Sequence, residues 1–181
     1  MTLLKKLLSN FKRNERGVIT LEMIIMMPLM VLWIVGSNSF FDAFKTYLRA
    51  SKATYTAVDL ISRQSTVGPT YVANVGTIFD SIVDADGASS EVIISSIRMW
   101  NDALQIEWSQ NANGNPGMTN ANQIPLAYIP NLQNGEAIVL IQSSVPFIPI
   151  HSWGNLTAKT FTNTVAVTPR FDVMVGYDNA F

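Results

Sequence analysis

The sequence predicts an α+β fold, in which a long N-terminal helix packs on a small, mostly antiparallel β-sheet. Two observations carry that expectation. From Val18 to Gly36 nearly every residue is apolar (VITLEMIIMMPLMVLWIVG), and apolar and polar residues then recur at steps of three and four as far as Gln64. From Glu91 onward the hydrophobic period shortens to two, the spacing of half-buried strands.

At about 1.5 Å rise per residue, the run 18–36 is long enough to cross a hydrocarbon core of roughly 30 Å. It is read as a transmembrane helix. Glu22 is its only charge. An ionisable group near mid-membrane costs roughly 2.5–3.5 kcal/mol on insertion scales, and less near the edge, where it can snorkel. Pro28 lies within the run and is expected to kink the helix, which neighbouring segments in a membrane tolerate. The methionines Met23, Met26, Met27 and Met30 are read as apolar packing surface with no metal role.

Residues 1–17 form a basic leader, with Lys5, Lys6, Lys12, Arg13 and Arg16 against Glu15 alone. Such a flank is held in the cytoplasm by the positive-inside rule, which sends the C-terminal part across the membrane. Lys45, Arg49 and Lys52 weaken that asymmetry without reversing it. The leader fits a cleaved secretory signal poorly. Its polar part is long, its apolar run exceeds the usual signal core, and the nearest small-residue site, Ile34–Val35–Gly36, is weak.

Residues 37–64 are read as an amphipathic extension of the same helix. Phe41, Phe44, Leu48, Ser51, Tyr55 and Val58 make one stripe; Asp42, Lys45, Arg49, Lys52, Asp59 and Arg63 make another, displaced by one residue. The joined helix would measure roughly 70 Å and end at Ser65–Thr66–Val67–Gly68–Pro69.

Residues 65–181 form the predicted extracytoplasmic domain. A second helix is expected over 70–83 and a turn at Asp84–Ala85–Asp86–Gly87. Glu91–Met99 and Ala103–Ser109 alternate around Trp100–Asn101–Asp102, a β-hairpin pattern. Residues 110–125, rich in Asn, Gly and Pro, read as a loop. Glu136–Val145 is a buried strand, and Leu156–Thr168 alternates with Lys159, Phe161, Asn163, Val165 and Val167 on one face. About four strands result, one face of the sheet packing on the amphipathic half of the first helix.

Several function classes are disfavoured by what the chain lacks. A formal charge of −1 over 181 residues does not point to nucleic acid. The absence of Cys removes any disulfide or thiolate metal site, and His151 is the sole histidine. With no Gly-rich phosphate loop and no carboxylate pair on a common element, neither an enzyme nor a cofactor is expected. Asp84–Gly87 fails the EF-hand register, because the first and twelfth positions would be Ile82 and Ile93. Asn155–Leu156–Thr157 matches the glycosylation pattern but means little without a eukaryotic context. Trp100 and Trp108 are read as sheet residues before partner surface.

The N-terminal residues resemble a known family. A basic leader ending in Gly17, four further residues and then Glu22 look like the prepilin-peptidase site of type IV pilins and pseudopilins. Arg13–Asn14–Glu15–Arg16–Gly17, Glu22–Met23 and Pro28 resemble, more narrowly, the TadE-like pseudopilins of the tight-adherence (Flp-type) pilus machinery. Phe161–Arg170 is similar to that family's closing strand and its Pro-Arg ending. Met23 departs from the aromatic that usually follows Glu, and the globular part is larger than in small major pilins.

The resemblance implies cleavage between Gly17 and Val18, a mature chain with Glu22 in fifth place, and pairing of that carboxylate with the terminal amine of a neighbouring subunit. It also implies a minor structural component of the bacterial inner membrane, available for incorporation in an extracellular pilus. The expected partners are the membrane, a prepilin peptidase, other pilins or pseudopilins and pilus assembly proteins, with no nucleic acid. The alternative is an uncleaved, single-pass periplasmic binding module.

Overall fold

The first helix, α1 (Val18–Ser62), runs 45 residues. A computed structural model describes residues 17–84, 90–149 and 157–179. The leader 1–16, most of the turn expected at 84–87, His151 and Asn155–Leu156 lie outside them. The chain divides into two compact units between Phe41 and Asp42. The first holds the apolar half of α1; the second holds its polar half and everything after it.

In the second unit α1 ends in a tight turn, Gln64 N–H donating to Ile61 C=O at 3.0 Å. A short strand, β1 (Thr66–Val67), follows, then α2 (Pro69–Val83). Extended Gly68 and Pro69 in the first turn open α2, since Pro loses nothing where the helix has no N–H partner to offer. Val72, Val75, Phe79 and Val83 make its buried stripe at steps of three and four. Gly76 lies on the same side, and a Cβ there would collide with Ala112.

The sheet comprises β2 (Glu91–Trp100), β3 (Ala103–Asn111), β4 (Ala137–Phe147) and β5 (Lys159–Val167), in the spatial order β3-β2-β4-β5. Every neighbouring pair is antiparallel. Asn101 and Asp102 connect β2 to β3 with φ of 51° and 58°, the left-handed pair that a two-residue hairpin turn requires. Glu107 is an extra residue in β3, for Ser96 pairs with Trp108 while Ile97 pairs with Ile106. The bulge changes the alternation, so Leu104 and Ile106 face one side of the sheet and Trp108 the other.

One face packs Val92, Ile94, Val139, Ile141 and Val145 against α1 and α2. The opposite face, with Ile97, Ile138 and Leu140, is covered by Met118, Ile124 and Leu132 from the segment joining β3 to β4. The Asn-, Gly- and Pro-rich stretch expected to be a loop is therefore a lid on a second core. Gly117 lets it lie against β3, where a Cβ would meet Ser109, and Met118 N–H donates to Ser109 Oγ at 2.7 Å. Ser65–Val67 also differs from expectation: it ends the helix but continues as β1, pairing in parallel with β6 (Gly176–Tyr177).

The face of α1 that meets the sheet differs from the stripe the periodicity suggests. Phe41, Phe44, Leu48 and Tyr55 are all at least half exposed, whereas Ala50, Ala53, Ala57, Val58 and Ile61 are buried. Of the expected stripe, Val58 is buried and Ser51 is intermediate. Ala50, Ala53 and Ala57 enter the first core with Val58 and Ile61, on the side from which Thr54 reaches β4. Thr54 completes this face. Its hydroxyl donates to Ala50 C=O at 2.8 Å and lies 2.7 Å from Ser143 Oγ on β4. Since the one Thr54 proton is committed to Ala50, Ser143 is the donor across the interface.

This buried hydroxyl pair is open to test. Thr54→Val keeps the shape but leaves the Ser143 hydroxyl without its acceptor, at a cost of about 1–3 kcal/mol. Thr54→Val combined with Ser143→Ala should recover much of that loss. Denaturant unfolding of the four members of the cycle checks it, and strictly additive effects would contradict the pairing.

Candidate membrane anchor and assembly segment

The apolar half of α1 begins at Val18, directly after Gly17. Apart from half-buried Val35, its large apolar side chains are uncovered, from 41% exposure at Leu32 to 76% at Trp33. None of its most apolar 18-residue window is buried, and among the described residues it is the one helix long and apolar enough to cross a membrane. A core helix of such composition would be buried by its own domain. This one is consistent with a single-pass membrane anchor.

Glu22 is exposed on this segment, and among the described residues no hydrogen bond or ion pair engages it. Val18 and Glu22 are one turn apart and share a helix face. Pro28 stands inside α1 and leaves the Ile24 carbonyl without its usual N–H, yet the helix continues to Ser62. The four residues singled out in the sequence, Gly17, Val18, Glu22 and Pro28, thus lie on or immediately before one uncovered apolar helix.

Three features of the second unit escaped the sequence. The first is a cleft of about 250 Å³ lined by Asp42, Lys45 and Arg49 of α1, by Asp84, and by the end of β4. Its charges are mixed, and Arg49 Nη1 donates to Asp84 Oδ2 at 3.0 Å. Among the described residues no three metal-ligating side chains come together.

The second feature is the C-terminal segment. Asp59 accepts Arg63 on one oxygen, at 2.9 Å, and Arg170 on the other, at 2.7 Å. Arg170 N–H donates to Ser62 C=O, and Trp108 Nε1–H donates to Val175 C=O at 2.7 Å. Arg170 of the Pro-Arg pair thereby ties the tail to the end of α1. The i, i+4 spacing of Asp59 and Arg63 was legible; the Arg170 partnership, 111 residues away in sequence, carried no local signal.

The third is a polar cluster on β2 and β3. The Arg98 guanidinium sits 4.6 Å from the centre of the Trp100 ring, and its Nε is 2.8 Å from Glu107 Oε1 in ion-pair contact without hydrogen-bond alignment. Trp108 is half-buried in the core below α1 and Tyr177 stacks beside it, whereas Trp100 is 47% exposed. The two tryptophans are sheet residues of different kinds.

No protein-family model, characterised protein or solved structure matches this chain.

Asp59→Asn should release both arginines. Because all three side chains are partly exposed, the expected loss is modest, about 0.5–1 kcal/mol. The loss should shrink in 1 M salt, roughly a 3 Å screening length. Thermal unfolding of wild type and variant at low and high salt measures it, and an equal difference at both would contradict an electrostatic tie.

Proposed function

We propose that this chain is a prepilin-like, TadE-type pseudopilin: a minor structural or assembly component of a bacterial tight-adherence pilus or related secretion machine. The observation that carries the reading is an uncovered apolar helix, bearing one unpaired carboxylate at Glu22, that continues without a break into a folded α+β unit. The Gly17–Val18 junction and the Gly-to-Glu spacing support it from the sequence.

In this reading the basic leader stays in the cytoplasm and residues 18–36 span the inner membrane. The second unit emerges in the periplasm. A prepilin peptidase cuts between Gly17 and Val18 and frees the Val18 amine. The hydrophobic helix then packs laterally among other pilin-type helices. There the amine and Glu22 of neighbouring subunits attract in a low dielectric, each relieving the other's desolvation. Apolar packing and that charge pair hold the assembly, and no cofactor takes part.

The continuous helix also weighs against removal of the run as a secretory signal. A cut near Gly36 would fall inside α1.

Intact mass of the protein from membranes, with and without the host prepilin peptidase, is the decisive measurement. A chain beginning at Val18 only when the peptidase is present is the expected result. A full-length chain in both would point to an uncleaved anchored binding module, and a start near Ser37 to a freely exported domain. Glu22→Ala should leave the second unit folded and cut incorporation into the assembly about tenfold, the factor that about 1.4 kcal/mol of lost pairing confers. Co-purification with the assembly is the readout, and normal incorporation would sink the pairing mechanism.

A further inference from the structure

The two ends of the second unit differ in charge. Along α1 the chain enters the unit at Asp42, and the helix closes at Ser62. β5 runs the same way. Phe161, near its start, has its ring centre 5.8 Å from that of Tyr47, whereas Arg170, beyond its end, pairs with Asp59. β4 runs the opposite way, so its last residues line the cleft beside Asp42, Lys45 and Arg49. The entry end therefore gathers the first turns of this stretch of α1, the end of β4 and the start of β5.

Among the described residues every arginine is paired: Arg49 with Asp84, Arg63 and Arg170 with Asp59, and Arg98 with Glu107. The lysines are not. Lys45, Lys52 and Lys159 are exposed, and among the described residues no hydrogen bond or ion pair holds their side chains. Lys45 and Lys159 both stand at the entry end. Lys159 lies opposite Phe147 and precedes Phe161 by two residues, about 7 Å of strand. Ile148, which follows Phe147, is 72% exposed. Of the two acids lining the cleft, Asp84 is taken by Arg49, and Asp42 is unpaired.

We propose that the entry end of the second unit rests on the surface of the bilayer that holds the anchor, with Lys45 and Lys159 on anionic lipid headgroups and Ile148 in the interface. The inference rests on residues 18–36 being a membrane span. Continuity of α1 selects this occupant. Where the run fills the hydrocarbon, the headgroup layer adds roughly 5–7 Å on each side. Lys45 is about 14 Å of helix rise beyond Gly36. Helical side chains lean toward the N-terminus, here toward the anchor, which brings its ammonium within a Debye length of about 8–10 Å of the headgroups. Charge selects the lipid: a lysine near an anionic surface favours contact about fivefold. Lysine stems and an exposed isoleucine also suit an interface that is apolar below and wet above. Asp42 opposes the contact. Lys52, about 24 Å beyond Gly36, is too distant to join it.

The absence of Cys allows a single fluorophore to be placed on the full-length protein. Thr160→Cys, next to Lys159, and Thr168→Cys, just past the end of β5, are exposed positions about 27 Å apart along the strand. Each is reconstituted in phosphatidylcholine vesicles, with or without phosphatidylglycerol, that carry a headgroup spin label as quencher. With phosphatidylglycerol present, quenching at position 160 should exceed that at 168 by about fivefold, the bias one lysine supplies. Lys45→Glu with Lys159→Glu should lower it to the position-168 level. About 1 M salt, where screening falls to roughly 3 Å, should do the same to the unsubstituted lysines. Lys52→Glu, the same charge change farther from the membrane, should leave it unaltered, and Asp42→Asn should strengthen it. Equal quenching at the two positions overturns the proposal, as does a position-160 signal that responds to neither lysine nor salt. Contact at position 160 that appears only with other pilus components present assigns the surface to a protein and also overturns it. Alkaline carbonate extraction separates this failure from failure of the anchor. Protein that stays in the membrane without the contact sinks the docking alone, and protein that is released sinks both.

Discussion

The second unit depends on which face of α1 is turned to β4, and the Thr54–Ser143 hydroxyl pair marks that face. Ala50, Ala53 and Ala57 remove the bulk between helix and sheet, and the Thr54 and Ser143 hydroxyls meet at 2.7 Å in the gap that remains. α1 shares the first core with α2 and the sheet. α2 lies against the same sheet face and fills it with Val75 and Phe79. β4 is central, paired on both sides, and buried from Ala137 to Ile141. A hydroxyl pair at such a point adds direction to an otherwise apolar contact, since only one rotation and register of the helix brings Thr54 to Ser143.

That same constraint explains where the sequence misled. Periodicity locates an amphipathic helix but ranks its faces by hydrophobicity, and by that measure Phe44, Leu48 and Tyr55 outrank three alanines. Packing ranks them by shape. The alanine face meets the sheet, where Thr54 reaches Ser143, and the large residues are left outside. The helix itself, its end near Ser62, the second helix, the hairpin about Asn101–Asp102 and the two later strands were legible, because each rests on local periodicity or turn chemistry. Contacts made at long range were not. Nothing local in residues 112–133 marks that segment as the cover of a second core, and nothing in Arg170 names Asp59 as its partner.

The candidate site divides along the same line. Gly17, Val18, Glu22 and Pro28 were readable because a run of apolar residues is a composition, visible without any fold. The structure adds that nothing in the described chain covers that run, and that Glu22 finds no partner there. Composition could not supply either fact. By contrast, the cover that the β3–β4 connection places on the second core depends on where that connection lies, so it emerges only from topology.

The exposed residues of α1 bear on whether the helix is retained. Large apolar side chains do not stop at Gly36; Phe40, Phe41, Phe44, Leu48 and Tyr55 remain exposed well into the polar half. If the run before Gly36 were discarded as a signal, the secreted remainder would carry that apolar stripe into water on a helix shortened by 19 residues. Exposed apolar stretches of this kind are an aggregation liability in a monomeric soluble domain. A retained anchor changes the balance. In a laterally packed bundle the uncovered side chains face other helices, and the alanine face stays committed to β4. The two surfaces of α1 then serve two kinds of contact. Small residues bring the helix onto its own sheet, and large ones remain available to neighbours. Under the pseudopilin reading, the face that hydrophobicity ranked first is kept for assembly.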